Sequence, residues 1–570
     1  MPHTEIPNHV RTHRHELPHS AELARLRAFD ATLLADLLDK QPRSLPYSEA
    51  ADVHCQNEAF AEIIQDNYSA EELKALEQQL HDQGTTKVST VEGYGVEIDG
   101  ETMPVSFVGA TEISEDTPNH GEMASMLYLR DHIQTASMLM ELHLSDPDTY
   151  KKEAEEGKRL LMSALHLMST PAQLARFKGV IENGEASQED WPHISLLFND
   201  LDGREKNGWR NKQDTFQMLA YLACDALERG FIDTESLSDS HKTFLGSVAP
   251  LLKAVGFPKY ENSGSWEEIA ARRTSVMAVE TALLSKVSSL TEANGNLAFL
   301  RGTLTGEEIT GMRSEGLREI GRRLPFESPD HPKDSVKYRK ADAALTYVLM
   351  YDIPKLLSDE HVPTGPNLEA MSGQAIEDLV LEELSTLIDP ETGAMRRYDG
   401  DSYQRVNFHT NVIQRVIANI KKIVKNEANG GEIDLDKKQA LRGDLTPKGR
   451  EAAWTHPLGQ LASWAAKRSI TEQKAGNREA AENYRSLGTN FMNRTLATIT
   501  GKDQWHAVLD DNKRYVVQKV PANRLPECYV TYETPDGTQF IVPSPHTPLN
   551  WSSAMLRQAV GLLRVSTVLQ

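Results

Sequence analysis

Apolar residues recur at intervals of three and four along most of this chain, which is the spacing that gives a helix one buried face. Residues 21–40 (AELARLRAFDATLLADLLDK) show it in their leucines, and residues 56–83 read as one or two further helices. From about residue 121 the pattern is overwhelmingly helical, with segments expected near 121–144, 149–169, 210–230, 235–256 and 266–289. Others follow near 305–323, 336–357, 374–388, 402–427, 447–469, 473–499 and 549–568. Most connections are short, which favours antiparallel helical hairpins packed side by side, and no repeat of the solenoid kind is present.

Two stretches depart from that period. Residues 86–108 alternate as strands do, with Asp99-Gly100 between two runs as a hairpin turn. Between about 500 and 545, Tyr515-Val516-Val517 and the Pro535-Asp536-Gly537 turn predict strands and a second hairpin. The expected organisation is a polar tail over 1–20, helices and a β-hairpin over 21–120 packed on the main body, and a helical body over 121–570.

Composition narrows the partners. Asp and Glu outnumber Lys and Arg by 83 to 61, and the net charge of −22 opposes nucleic acid and anionic lipid surfaces as partners. Cys55, Cys224 and Cys528 are too few and too scattered for a disulfide framework or a CxxC zinc cluster. No apolar run of about 18 residues and no signal-peptide core occurs, so a cytoplasmic, non-membrane protein is expected. His15-Glu16-Leu17-Pro18-His19 spells HExxH, but Pro18 breaks the helix that zinc binding would need.

The chemistry begins with Ser265-Trp266-Glu267-Glu268. Two carboxylates beside an indole suit glycosidic cleavage, in which one carboxyl donates a proton to the leaving oxygen and an aromatic face receives the sugar. Ser265 and Glu268 equally match a capping box at a helix start. Four further motifs accompany it: Tyr128-Leu129-Arg130-Asp131-His132, Trp209-Arg210-Asn211-Lys212-Gln213-Asp214, Tyr338-Arg339-Lys340-Ala341-Asp342, and Arg524-Leu525-Pro526-Glu527 with Trp551 beyond it. Asp389-Pro390-Glu391 and Asp399-Gly400-Asp401 fit no EF-hand loop and read as solvated turns.

In this order and spacing the motifs resemble the glucoamylase family of glycoside hydrolases (glycoside hydrolase family 15), with the related glucoamylase-like domain of phosphorylase kinase regulatory subunits. The resemblance covers about residues 120–570. It implies an all-α (α/α)6 barrel, a six-hairpin toroid with small β-hairpin insertions, and an inverting, exo-acting α-glucosidase that needs neither metal nor cofactor. By the resemblance Glu267 is the general acid and Glu527 the general base. Glu268, Arg130, Asp131, Trp209, Gln213, Asp214, Trp266, Arg339, Asp342 and Trp551 would then line the carbohydrate site.

Inversion requires the acid and base to stand about 6.5–9.5 Å apart with a water between base and sugar. A helix start at Trp266 would lower the pKa of Glu267, so burial, Trp266 and Glu268 must oppose that to keep it protonated. The alternative reading is a sugar-binding regulatory protein without turnover. A transferase or phosphorylase would need an anion site, and no glycine-rich phosphate loop is present.

Overall fold

The computed structural model describes residues 33, 35–42, 44–88, 90–111, 126–184, 191–193, 195–197, 214–266, 270–335, 337–401, 451–509, 515–533 and 538–570. After a single turn at Glu58–Ala61, their helices are α1 (Ala70–Asp82), α2 (Leu129–Ser145), α3 (Lys151–Met168), α4 (Pro171–Asn183), α5 (Asp214–Glu228), α6 (Asp239–Ala254) and α7 (Thr274–Ala293). They continue with α8 (Gly306–Arg323), α9 (Thr346–Met350), α10 (Ile353–Asp359), α11 (Gly373–Ser385), α12 (His456–Lys474), α13 (Arg478–Ala497) and α14 (Asn550–Val568). HExxH at 15–19, the expected helix at 402–427 and most of the one at 21–40 lie outside the described residues.

Helices α2, α5, α7, α9, α12 and α14 pack each against the next, and α14 returns to α2, so the inner ring is closed. Helices α3, α6, α8, α11 and α13 stand behind the ring, and α1 lies behind α14. This is an (α/α)6 barrel. Inner helices are wrapped on both sides, so α14 and the first three turns of α2 are buried nearly all round, where an outer helix shows a single apolar stripe. At Gly561 a Cβ would stand 2.4 Å from a methyl of Leu142 and 2.6 Å from the hydroxyl of Tyr150, so only glycine lets α14 approach α2 this closely.

Local sequence explains most helix ends. Helix α1 opens with a capping box, Ser69 N–H donating to Glu72 Oε2 at 2.8 Å and Glu72 N–H to Ser69 Oγ at 3.2 Å, and buries Leu73, Leu76 and Leu80. Its Glu77 accepts from Tyr150, the residue just before α3, at 2.8 Å and faces Arg564 of α14 at 3.6 Å, which ties the N-terminal segment to the ring. Helix α4 was not expected from periodicity. Its signals are nevertheless present in Thr170, which caps Gln173 N–H, and in Pro171 at the first helical position.

Strands β1 (Thr90–Ile98) and β2 (Glu101–Val108) form the expected hairpin, with φ of 52° at Asp99 and 85° at Gly100. Its turn docks on the barrel, because Ser240 Oγ at the start of α6 donates to Asp99 Oδ1 at 2.6 Å. Short strands β3 (Met126–Tyr128) and β4 (Ser195–Leu197) pair with each other. Strands β5 (Met395–Arg396), β6 (Ala453–Trp454), β9 (Cys528–Glu533) and β10 (Gln539–Pro543) form an antiparallel sheet in the order β10-β9-β6-β5. A separate hairpin is made by β7 (Trp505–Leu509) and β8 (Tyr515–Lys519). No described helix is long and apolar enough to cross a membrane.

Two helical expectations fail for identifiable reasons. The helix of the segment expected at 266–289 runs only from Thr274 to Ala293, and Glu268 of the expected capping box lies outside the described residues. Ahead of it Asn262 and Ala271 exchange backbone hydrogen bonds, and Asn262 Oδ1 accepts from Gly264 N–H. The cap of α7 comes from far along the chain, with Glu327 accepting from Ser275 N–H at 2.9 Å and from Ser275 Oγ at 2.6 Å. The segment expected at 336–357 is also broken. Asp342 caps a 3₁₀ turn at Ala343–Leu345, and Asp352 adopts a φ of 53° between α9 and α10.

Candidate active site

The N-terminal ends of α2, α5, α12 and α14, the loop before α7 and the turn at Asp342 meet at one mouth of the ring, where side chains from distant segments interlock. At its centre Trp266 donates from Nε1 to Asp342 Oδ1 at 2.6 Å. Asp342 is fully buried; Oδ1 also accepts from Ala344 N–H at 2.9 Å, and Oδ2 receives Arg339 at 2.9 Å. The Arg339 guanidinium in turn lies 3.5 Å from the ring centre of Tyr398. Burial and the nearby Asp342 carboxylate push Glu327 up to about 7.

A second interlock involves Arg130, which donates to Asp214 Oδ1 at 3.1 Å and to the carbonyl of Ser265 at 3.0 Å. Arg130, Asp131 and Asp214 are all buried at the starts of α2 and α5. One guanidinium therefore joins two inner helices to the loop that carries Trp266. Trp209, Gln213, Glu267 and Glu268 lie outside the described residues.

Glu527 directly precedes β9 and is buried. Its backbone is clamped from both sides: its N–H donates to the His546 carbonyl at 2.9 Å, and its carbonyl accepts from Thr455 N–H at 3.4 Å. Ser544 Oγ reaches its carboxylate at 3.4 Å. Thr455 Oγ1 donates to the Pro526 carbonyl at 2.6 Å and lies 2.7 Å from Ser552 Oγ, next to Trp551. The four-stranded sheet thus holds the candidate base against the starts of α12 and α14.

Several residues here escaped the reading of the sequence. Arg397 grips Asp401 with two bonds of 2.6 Å, Nε to Oδ2 and Nη2 to Oδ1, and its guanidinium lies 5.2 Å from the Trp266 ring and 5.1 Å from the Trp454 ring. Trp454 and His456 are 5.4 and 5.8 Å from Trp266, and His456 stacks on Trp551 at 4.1 Å and 25°. The reading of Asp399-Gly400-Asp401 as a solvated turn is therefore corrected. Asp399 is an exposed turn residue paired with Arg396, whereas Asp401 is buried under Arg397. The signal available was the Arg-to-Asp spacing of four, hidden by the turn-forming Asp-Gly between them. The Asp389 turn is as expected, its Oδ1 accepting from the N–H groups of Glu391 and Thr392.

A guanidinium fork beside carboxylates and aromatic faces is a chemistry for holding polyhydroxylated rings. No protein-family model and no curated protein sequence matches the chain. Among solved structures it is similar to a glucoamylase from Saccharomycopsis fibuligera, at 13% identity and a TM-score of 0.50 over 89% of this chain and 98% of that one. The fold is that of the glucoamylases. A wild-type glycosidase (14% identity, TM-score 0.46, 88% of this chain and 100% of that one) is also similar. So is a glucoamylase from Hormoconis resinae (12% identity, TM-score 0.44, 86% and 73%).

Proposed function

We propose that the protein is an inverting, exo-acting α-glucosidase that releases glucose from the nonreducing ends of α-glucosides or malto-oligosaccharides. The observation that carries this reading is the meeting of Trp266, Arg130, Asp214, Arg397, Trp551 and buried Glu527 at one mouth of a glucoamylase-like barrel. In this reading Glu267, next to the braced indole of Trp266, protonates the leaving oxygen. Glu527 draws a proton from the attacking water on the opposite face of the ring. Glu268, Arg130, Asp131, Trp209, Gln213 and Asp214 hold the nonreducing glucose, while Arg339 and Asp342 brace the Trp266 loop.

Incubation with a panel of α-linked glucosides, with the released anomer followed by NMR, tests the proposal. Release of β-glucose from α-glucosides is the expected result. Binding without release would favour a regulatory sugar-binding protein instead.

A further inference from the structure

His456 occupies a singular place at this mouth. It is the first residue of α12, it is 1% exposed, and it lies flat on Trp551 while meeting Trp454 edge-on at 5.5 Å. Among the other buried histidines, His506 also leaves Nδ1 without a partner among the described residues, whereas His132, His166 and His241 do not. His132 Nδ1 accepts from Val108 N–H while Nε2 donates to the Leu160 carbonyl, and His166 and His241 are bonded to each other at 2.8 Å. For His456 Nδ1, no group among the described residues lies within hydrogen-bonding reach. Stacked beside it, Trp551 Nε1 is also without a partner among the described residues.

A buried polar nitrogen without a partner costs about 1–3 kcal/mol, a cost that a ligand able to hydrogen-bond would remove. Two such groups side by side, in a wall of aromatic rings, point to a ligand with several hydroxyls and an apolar face. The imidazole is also kept neutral: burial, then Arg130 and Arg397, hold its pKa down to about 3. One ring nitrogen is therefore a donor and the other an acceptor, and a sugar hydroxyl, which both donates and accepts, satisfies either tautomer. A neutral ring also adds no positive charge beside a glycosyl centre that becomes cationic in the transition state.

We infer that His456 is a specificity-determining residue of the glycosyl site, its Nδ1 exchanging a hydrogen bond with one ring hydroxyl of the bound sugar. This rests on the glycosidase reading and deepens it. Stacking on Trp551 fixes the plane of the imidazole, so the bond selects one hydroxyl position and orientation.

The test is a coupling experiment with aryl α-glucosides lacking one hydroxyl at a time, comparing the parent protein with His456→Phe and His456→Asn. Phenylalanine keeps the stack without a polar atom, and the asparagine amide stands near the place of Nδ1. The parent is expected to lose about tenfold or more in kcat/KM for one deoxy position. That penalty is expected to vanish in His456→Phe, to persist partly in His456→Asn, and to be unchanged at the other positions. Equal penalties in parent and variants at every position would overturn the role of His456 and leave the glycosidase reading standing. If sugars bind without turnover, the same coupling is read in Kd by calorimetry. Neither binding nor turnover of any glucoside by the parent would remove the glycosidase reading and this inference together. Should His456→Phe fail to fold, His456→Asn and the parent decide it alone, since a role confined to packing predicts no change of penalty between them.

Discussion

Trp266 Nε1 donates to Asp342 Oδ1 at 2.6 Å, joining residues 76 positions apart. The same carboxylate holds Arg339 and the turn at Ala343–Leu345, so one buried aspartate braces the indole next to the candidate acid. Asp342→Ala removes a buried carboxylate that is bonded both to the Trp266 indole and to Arg339. A destabilisation of about 3–5 kcal/mol is expected from urea unfolding, with a smaller loss for Asp342→Asn. Loss within 1 kcal/mol for the alanine variant would show that the bracing carries little energy.

Glu527→Gln and Glu267→Gln are isosteric and should leave unfolding midpoints nearly unchanged. Each is expected to lower kcat on an aryl α-glucoside by about 10²–10⁴-fold. A variant that keeps parental turnover takes its residue out of the acid–base pair.

Acid sensitivity follows from buried histidines. Burial holds His132, His166 and His241 down to about 4, and His456 and His506 down to about 3, against an ordinary 6.5. Unfolded, each takes up its proton near 6.5; folded, it does not until the pH is far lower. Stability contributed by these groups is thus complete above about pH 6.5 and falls as the pH drops from there towards 4, by up to about 1.4 kcal/mol per unit for each histidine. Glu327, pushed up to about 7, acts in the opposite sense, as do Glu280, Asp352 and Glu377, which burial raises above their ordinary values. Five imidazoles outweigh these four carboxyls, so Tm should be lower at pH 5 than at pH 7. An equal or higher Tm at pH 5 would contradict neutral burial of these rings.

The thiols should be inert in the folded protein. Cys55, Cys224 and Cys528 are all buried, and burial pushes the first two up to about 11 and about 12 and raises the third well above its ordinary value. A chromogenic disulfide reagent at pH 8 is expected to find no rapidly reacting thiol in the native state. In denaturant it should find all three. A fast native reaction would show local opening around one of them.

Closure of the barrel by the N-terminal segment is open to a packing test. Leu80 of α1 is fully buried in the layer behind α14. Leu80→Ala is expected to cost about 2–5 kcal/mol in chemical unfolding, as for other buried leucines. A cost under 1 kcal/mol would mean that α1 adds little to barrel stability.

Much of the helical architecture was legible because its signals are local. The 3.6-residue period located α2, α3, α5, α6, α8, α13 and α14 to within a few residues at most ends, although the start of α2 lies eight residues past the expected one. Asp99-Gly100 placed the hairpin turn for the same reason. Helix α4 was carried by capping chemistry, which periodicity does not weigh. The start of α7 was read wrongly because Ser265 and Glu268 have the residue types of a capping box, whereas the cap that forms is Glu327, brought there by the fold.

The candidate site divides the same way. Sequence order alone singled out Arg130, Asp214, Trp266, Asp342, Glu527 and Trp551, because residue type and spacing survive in one dimension. It passed over Arg397, Asp401, Trp454 and His456, whose partners lie in other segments. Hydrogen bonds and ring contacts act over about 3–6 Å, a range that short-range spacing can report only within a turn or two of helix. What the sequence by itself determined is the sequence of helices and the stock of acids, arginines and indoles. Which of these face one another was decided only when the ring closed, because closure alone brings α14 back to α2 and sets Glu527, His456 and Trp551 at the same mouth as Arg130 and Trp266.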